Sequence, residues 1–199
     1  MSGLLSSLEH WDKVATLWIN HFHSPASDAI WLFFSSKTVW IPFYLLLIYI
    51  MIRKLGWKKA LAAIVAIVLA VAACDQLANL VKDAACRLRP NKDHWMIERG
   101  LHILQKGGLY GFFSAHAATC FSVASCSSSI VRGQLGGRLE RVWAPVLYCW
   151  AALISLSRIF VAKHYLGDVL AGAAVGVIVG LFLAGSLKAI MKATAMTRE

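Results

Sequence analysis

The stretch KKALAAIVAIVLAVAACDQLANL, residues 58–80, decides what kind of protein this is. No charge falls between Ala60 and Cys74, and the whole stretch reaches the roughly 20 residues that a helix needs to cross a hydrocarbon core. Four more stretches, 28–52, 114–132, 142–160 and 166–190, meet the same test. The expectation is an all-α, polytopic transmembrane bundle of about five spans. Ser35, Ser36 and Lys37 interrupt the 28–52 stretch, which leaves open one helix or a half-helix followed by a span from Thr38. Upstream, Leu4, Leu5, Leu8, Trp11, Val14, Ala15 and Trp18 recur at helical spacing beside Glu9, Asp12 and Lys13. That pattern predicts an amphipathic helix in the membrane interface within residues 1–27, and the charges argue against a sixth span.

Working outward, the composition agrees. Hydrophobic residues make up 59% and charged residues 15% of the 199, against about 45–50% and 25% in soluble proteins. One membrane-embedded domain over 1–199 is expected, loose only at the last few residues. The net charge of +10 would suggest nucleic acid in a soluble chain. Here the cations sit in short clusters between apolar segments, so no nucleic-acid partner is expected. The five cysteines, Cys74, Cys86, Cys120, Cys126 and Cys149, have neither zinc-type spacing nor an even count, and read as buried small hydrophobes. Met1 to Ser7 lacks the positive start of a signal peptide, so no cleaved segment is expected.

Orientation follows from the helix-end cations. Arg53, Lys54, Lys58 and Lys59, then Arg132, Arg138 and Arg141, then Lys188, Lys192 and Arg198 fall on one side if the spans number five. That side is expected to be cytoplasmic, with Trp57 and Trp143 as interfacial anchors and 191–199 as a tail. The other ten cations share their side, including a loop at 81–113, with eight of the ten acids. Two stripes of small residues, Ser122 to Ser129 and Gly172, Gly176 and Gly180, read as helix-packing surfaces.

On the non-cytoplasmic side, Lys82 and Arg89 follow the second span, Ser114 and His116 open the third, Arg158 ends the fourth, and His164 and Asp168 open the fifth. Ionisable groups at the membrane edge are costly unless paired or bound. Three cations, two histidines and one carboxylate at one depth describe a site for an anion, and phosphate suits it best. Phosphoryl transfer asks mainly for positioning and positive charge, which Lys82, Arg89 and Arg158 supply without magnesium. His164 and Asp168 are four apart, so the carboxylate can fix the imidazole tautomer and leave its other nitrogen basic. This makes His164 the candidate nucleophile and His116 the candidate general acid. Ser114 and the backbone N–H groups of Ala115 and His116 add donors at a helix N-terminus.

These residues resemble the type-2 phosphatidic acid phosphatases. The family's Lys, six residues, Arg-Pro matches Lys82, Arg89 and Pro90; its Ser-Arg, five residues, His, three residues, Asp matches Ser157, Arg158, His164 and Asp168. Its Pro-Ser-Gly-His is Phe113, Ser114, Ala115 and His116 here. At about 5% per residue type, four fixed positions recur by chance in roughly one such chain in a thousand. The resemblance implies a helical bundle, a phosphohistidine on His164, hydrolysis by water, no metal, no cofactor, and a bacterial inner-membrane location.

The expected activity is removal of phosphate from a membrane lipid, with undecaprenyl diphosphate favoured over phosphatidylglycerol phosphate and lipid A. Transfer between lipids would use the same residues. A non-enzymatic headgroup binder or transporter is the alternative from another class, yet transport needs a polar path and the polar residues gather at one face. Arg87, Lys92, Arg99, Lys106 and Lys163 read as solvated or headgroup-facing, Asp75 as a partner for a site cation or for a neighbouring helix, and Gly107, Gly108 and Gly111 as a turn by default, with flexibility for substrate entry as the alternative. Tyr110, Phe112 and Phe113 are candidates for a lipid-facing entrance. His10, His21, His23, His94 and His102 show no ligand spacing.

Overall fold

A computed structural model describes residues 2–196; Met1 and 197–199, including Arg198 of the expected tail, lie outside the described residues. The chain forms α1 (Ser2–Asn20), α2 (Pro25–Ser35), a 3-10 turn at Thr38–Trp40, α3 (Ile41–Leu55), α4 (Trp57–Ala85), a 3-10 turn at Pro90–Lys92, α5 (His94–Glu98), α6 (Ala115–Val131), α7 (Gly137–Phe160) and α8 (Leu166–Met196). Among the described residues four helices are long and apolar enough to cross a membrane: Thr38–Leu55, Trp57–Ala85, Gly137–Phe160 and Leu166–Thr194. The expected 114–132 span is α6, shorter at 17 residues and enclosed by its neighbours. The protein is an all-α polytopic membrane bundle.

Local chemistry sets the boundaries. Ser24 caps α2 by accepting from Ser27 N, Ser27 answers at Ser24 N, and Pro25 supplies a preset first turn. The 28–52 stretch is therefore two helices, parted at Ser36 and Lys37. Gly56, at φ +76°, lets the chain reverse between α3 and α4. Hydropathy ends the second span near Leu80, but helix hydrogen bonding continues through Val81 to Ala85, because Ala and Lys are good helix formers whatever their charge. The expected 81–113 loop thus begins at Cys86. For the same reason α8 runs on to Met196, beyond the expected start of the tail. The N-terminal segment of 1–27 is helical only to Asn20, and Pro25 already belongs to α2.

The bundle is built around α6, which packs most extensively on α8 and then on α4 and α7. Small residues make that possible. The inner face of α4 is Ala60, Ala63, Ala66, Ala70, Cys74 and Ala78, all buried. On α8, a Cβ at Gly172 would run into the Ser114 carbonyl, one at Gly176 into the Ala118 backbone, and one at Gly180 into the Ser125 hydroxyl. The glycine stripe is a packing surface. Facing it, Ser122 and Ser125 are buried and satisfied on their own helix, donating to Thr119 O at 2.8 Å and Phe121 O at 2.8 Å, as Ser127 on another face of α6 donates to Val123 O at 2.7 Å. The outward faces of α3, α4 and α8 carry exposed Leu45, Leu46, Val65, Leu69, Ile178 and Phe182, an apolar belt suited to lipid.

Two sequence expectations change. Trp57 is exposed, but Trp143 is 4% exposed inside the core, because its side of α7 faces the bundle rather than the interface. Among the cysteines, all free, Cys74, Cys120 and Cys126 are buried whereas Cys86 and Cys149 are exposed.

Gly176→Val is expected to destabilise the protein by about 2–3 kcal/mol through overpacking, and thermal unfolding in detergent should fall by roughly 5–10 °C. Gly185→Ala, where nothing lies within 4 Å of the added methyl, should leave the unfolding temperature within about a degree.

Candidate active site

Two short backbone devices bring the expected site residues together. Leu88 pairs with Tyr110 as an antiparallel bridge, flanked by Arg89 N donating to Leu109 O at 3.0 Å and Gly111 N donating to Arg87 O at 2.9 Å. Arg87 and Arg89, two apart on extended chain, therefore share a face. At the other side of the site α7 ends and the chain turns back, so that the Arg158 carbonyl accepts from both Lys163 N and His164 N at 3.0 and 3.3 Å. This turn places His164 just before α8 and Asp168 in the first turn of α8. Ser114 N donates to Asp168 O at 3.0 Å, joining the start of α6 to the start of α8.

Lys82, Arg89, Ala115, His116, Arg158 and His164 line one cavity of about 960 Å³. Arg89 is held by donating from Nε to Tyr110 O at 2.9 Å and from Nη1 to Lys163 O at 3.3 Å, and its Nη1 lies 3.4 Å from His164 Nε2. Nε2 is thus the imidazole nitrogen beside the cavity's cations. Arg158, 3% exposed, donates to the Ser35 hydroxyl and keeps its Nε without a protein partner. Lys82 donates to Asn79 Oδ1 at 3.1 Å, and Asn79 to Asp75 Oδ2 at 3.4 Å, a polar ladder along one face of α4. Asp75 lines the cavity and its partner is on its own helix, not on a neighbouring one.

Two expected residues stand behind the cavity. Ser114 is fully buried, and its hydroxyl accepts from Ala117 N at 3.4 Å as the cap of α6. Asp168, also fully buried, lies with Oδ2 3.5 Å from His164 Nδ1, too far and too poorly aimed for a hydrogen bond in this geometry. Its oxygens are occupied instead by Arg87 Nη1 at 2.5 Å and Tyr165 N at 3.0 Å.

Arg87 corrects the sequence reading: it is not a solvated cation but an ion-pair partner of Asp168. Its spacing in Arg87-Leu88-Arg89 was the available signal, readable only once the segment is known to be extended. Lys37, at the break between α2 and α3, and Lys163 also line the cavity. Gly111 is more than a turn residue. A Cβ there would lie 2.8 Å from Arg89 Cγ and 3.6 Å from His164 Nδ1, so only glycine lets Arg89 lie against that strand. Gly107, Gly108 and Phe113 line the cavity as well, whereas Tyr110 and Phe112 are not among its walls.

Away from the cations the cavity becomes apolar, passing Tyr44, Leu47, Met51, Ile64, Ile67 and Val68. From Lys82 to Ile64 along α4 is about 27 Å at 1.5 Å per residue, close to the thickness of a hydrocarbon core. Burial holds the His164 imidazole below the usual histidine range, with Asp168 opposing and Arg89 and Arg158 reinforcing the drop. Lys163 is lowered too, by burial and by the same two arginines. A neutral imidazole has a free basic nitrogen, and several cations beside it leave room for an anion.

His23 before α2, Asp28 in the first turn of α2 and His102 in the loop after α5, which no spacing connects, come together with their ligand atoms within 4.8 Å of one another. The two rings stack at 3.8 Å and His102 Nε2 lies 2.9 Å from Asp28 Oδ2. None of the three lines the cavity.

A membrane helical bundle that opens a cationic, two-histidine pocket onto an apolar trench is the architecture of a lipid-phosphate enzyme. Residues 59–192 match the PAP2 superfamily, and the chain belongs to it; the protein is a lipid phosphatase of that superfamily. It is 32% identical over 176 residues to the lipid A 4'-phosphatase of Bacteroides thetaiotaomicron, spanning 87% of this chain and 75% of that one. It is 31% identical over 169 residues to the lipid A 4'-phosphatase of Porphyromonas gingivalis, spanning 84% and 69%. Its fold resembles the crystal structures of a Bacillus subtilis transmembrane PAP2-type phosphatidylglycerolphosphate phosphatase (TM-score 0.69, 16% identity, 94% and 87% covered) and of Aquifex aeolicus LpxE (TM-score 0.61, 25% identity, 85% and 92% covered).

Gly111→Ala is expected to push Arg89 from its place and lower kcat by about 10–100-fold, read as phosphate release from a lipid phosphate in detergent micelles, while size-exclusion elution stays unchanged.

Proposed function

We propose that this phosphatase removes a phosphate from lipid A or a lipid A precursor, with its site on the outer side of a bacterial inner membrane and α6 as the enclosed member of five spans. The observation that carries the reading is that one cavity joins a cationic end to an apolar trench of membrane depth. Kinship with two lipid A 4'-phosphatases moves the support to lipid A from undecaprenyl diphosphate, the substrate that the sequence alone favoured.

In this reading His164 Nε2 attacks phosphorus as the bond to the sugar oxygen breaks, and His116 gives that oxygen its proton. Lys82, Arg89 and Arg158, joined by the N–H groups at the start of α6, neutralise the phosphoryl oxygens. Water then attacks the phosphohistidine, with His116 taking the proton, and inorganic phosphate leaves. Asp168 supplies the negative charge beside Nδ1 of the nucleophile, and Ser114 acts through the cap it makes. The guanidinium and ammonium groups supply the positive charge that a metal would otherwise bring.

A panel of lipid A bisphosphate, undecaprenyl diphosphate and phosphatidylglycerol phosphate, each in micelles with wild type and His164→Ala, tests the proposal. Lipid A should be turned over at least tenfold faster in kcat/KM than the others, and His164→Ala should lower every rate by 1,000-fold or more, roughly the scale of losing a covalent nucleophile. Faster turnover of undecaprenyl diphosphate would reject the substrate, and an active His164→Ala would reject the mechanism. Vanadate should inhibit as a mimic of five-coordinate phosphorus. EDTA should leave the rate within about twofold, and a rate abolished by EDTA and restored by magnesium would contradict the charge assignment.

A further inference from the structure

Asp168 is the one anion that faces His164 among the described residues. Around the imidazole stand Arg89 from the loop after α4, Arg158 from α7, Lys163 in the turn before it, and His116 from α6. The effective charge of Asp168 therefore matters, and it is shared: Arg87 Nη1 lies 2.5 Å from Oδ1. Seen from His164, an uncompensated Arg87 would cancel most of that carboxylate.

Arg87 is compensated. Its Nη2 donates to Asp12 Oδ2 at 2.6 Å, and Asp12 Oδ1 accepts from Gly167 N at 2.7 Å, one residue before Asp168. The guanidinium also lies 4.3 Å from the centre of the Tyr165 ring. One helical turn further on, Thr16 accepts from Leu166 N at 2.9 Å, and another turn on Asn20 bonds Ile159 O and Phe160 O, each at 3.3 Å. Asp12, Thr16 and Asn20 form a polar stripe by which α1 grips the turn that carries His164. Helix α1 lies outside residues 59–192, the part that matches the superfamily.

We propose that Asp12 is a positioning residue for the phosphoryl transfer: by neutralising Arg87 from behind, it keeps Asp168 an effective anion toward His164 Nδ1. As the Nε2–phosphorus bond forms and the phosphorus–oxygen bond breaks, the proton stays on Nδ1 and the imidazole gains positive charge. That charge is stabilised by Asp168 in proportion to what Arg87 leaves of it. The effect belongs to the transition state and the intermediate, so it reads in kcat rather than in KM.

The inference rests on His164 as nucleophile, and its test keeps the two apart. The full chain in micelles, acting on whichever lipid phosphate of the panel is turned over fastest, is compared as wild type, Asp12→Asn, Asp12→Glu, Glu9→Gln and His164→Ala. Asp12→Asn should lower kcat about tenfold, leave KM within about twofold, and move the acid limb of kcat/KM to lower pH, because Arg87 then disfavours the protonated imidazole. Asp12→Glu, which keeps the charge, should hold the limb at the wild-type position. Glu9→Gln removes the same charge from the same helix, where among the described residues Glu9 pairs only with Lys13 at 3.1 Å, and should change neither rate nor limb. A folded Asp12→Asn protein with wild-type kcat and limb overturns the inference. So does an Asp12→Glu limb that is displaced toward low pH, and that result decides the matter alone if Asp12→Asn aggregates. Turnover surviving in His164→Ala would instead refute the nucleophile.

Discussion

The close approach of α6 and α8 is the constraint on which the site depends. Inside a bilayer, helices gain little from excluding water and must be held by close packing and by hydrogen bonds. Gly172, Gly176 and Gly180 leave room for the α6 backbone, and at the top of that seam Ser114 N reaches Asp168 O. Because the two helix starts are joined there, His116 and His164 come to the same cavity. A bulkier α8 would part the two histidines as well as the helices.

Around this seam the site gathers cations and leaves them short of partners. Lys82, Arg89 and Arg158 are positioned mostly by carbonyls, a hydroxyl and an amide rather than by carboxylates. Arg87 has the opposite environment, between Asp12 and Asp168. The contrast separates groups free to meet a phosphate from a group spent on architecture. It also explains why the imidazole of His164 is held neutral: burial and Arg89 and Arg158 outweigh the one carboxylate. The trench between α3 and α4 then gives the uncharged part of a lipid a place that water does not compete for.

Much of this was legible from the chain alone. The spans follow from runs of uncharged residues, and they miss in two ways: Val81 to Ala85 and the end of α8 stay helical past the point where hydropathy stops, and 28–52 is two helices of which the second is the one of membrane length. The glycine stripe was readable because packing needs a period that repeats along one helix. Trp143 was not, since a tryptophan near a helix end looks the same whether its face meets lipid or another helix. Ser114 was assigned by residue type to the anion, and the fold turned its hydroxyl to the helix cap.

What the sequence by itself determined is the membrane class, the α-helical architecture and the set of lysine, arginine and histidine residues that meet at one end. Each is a property of composition or of spacing within a few turns, which local geometry translates directly. Only the tertiary structure decided that Arg87 and Gly111 belong to the site, that Lys37 and Lys163 share its cavity, and that α1 reaches the turn that carries His164. Those contacts join residues as far apart as Asp12 and Gly167, separated by 155 positions. No periodicity along the chain encodes such a distance, because it is set by how whole helices pack.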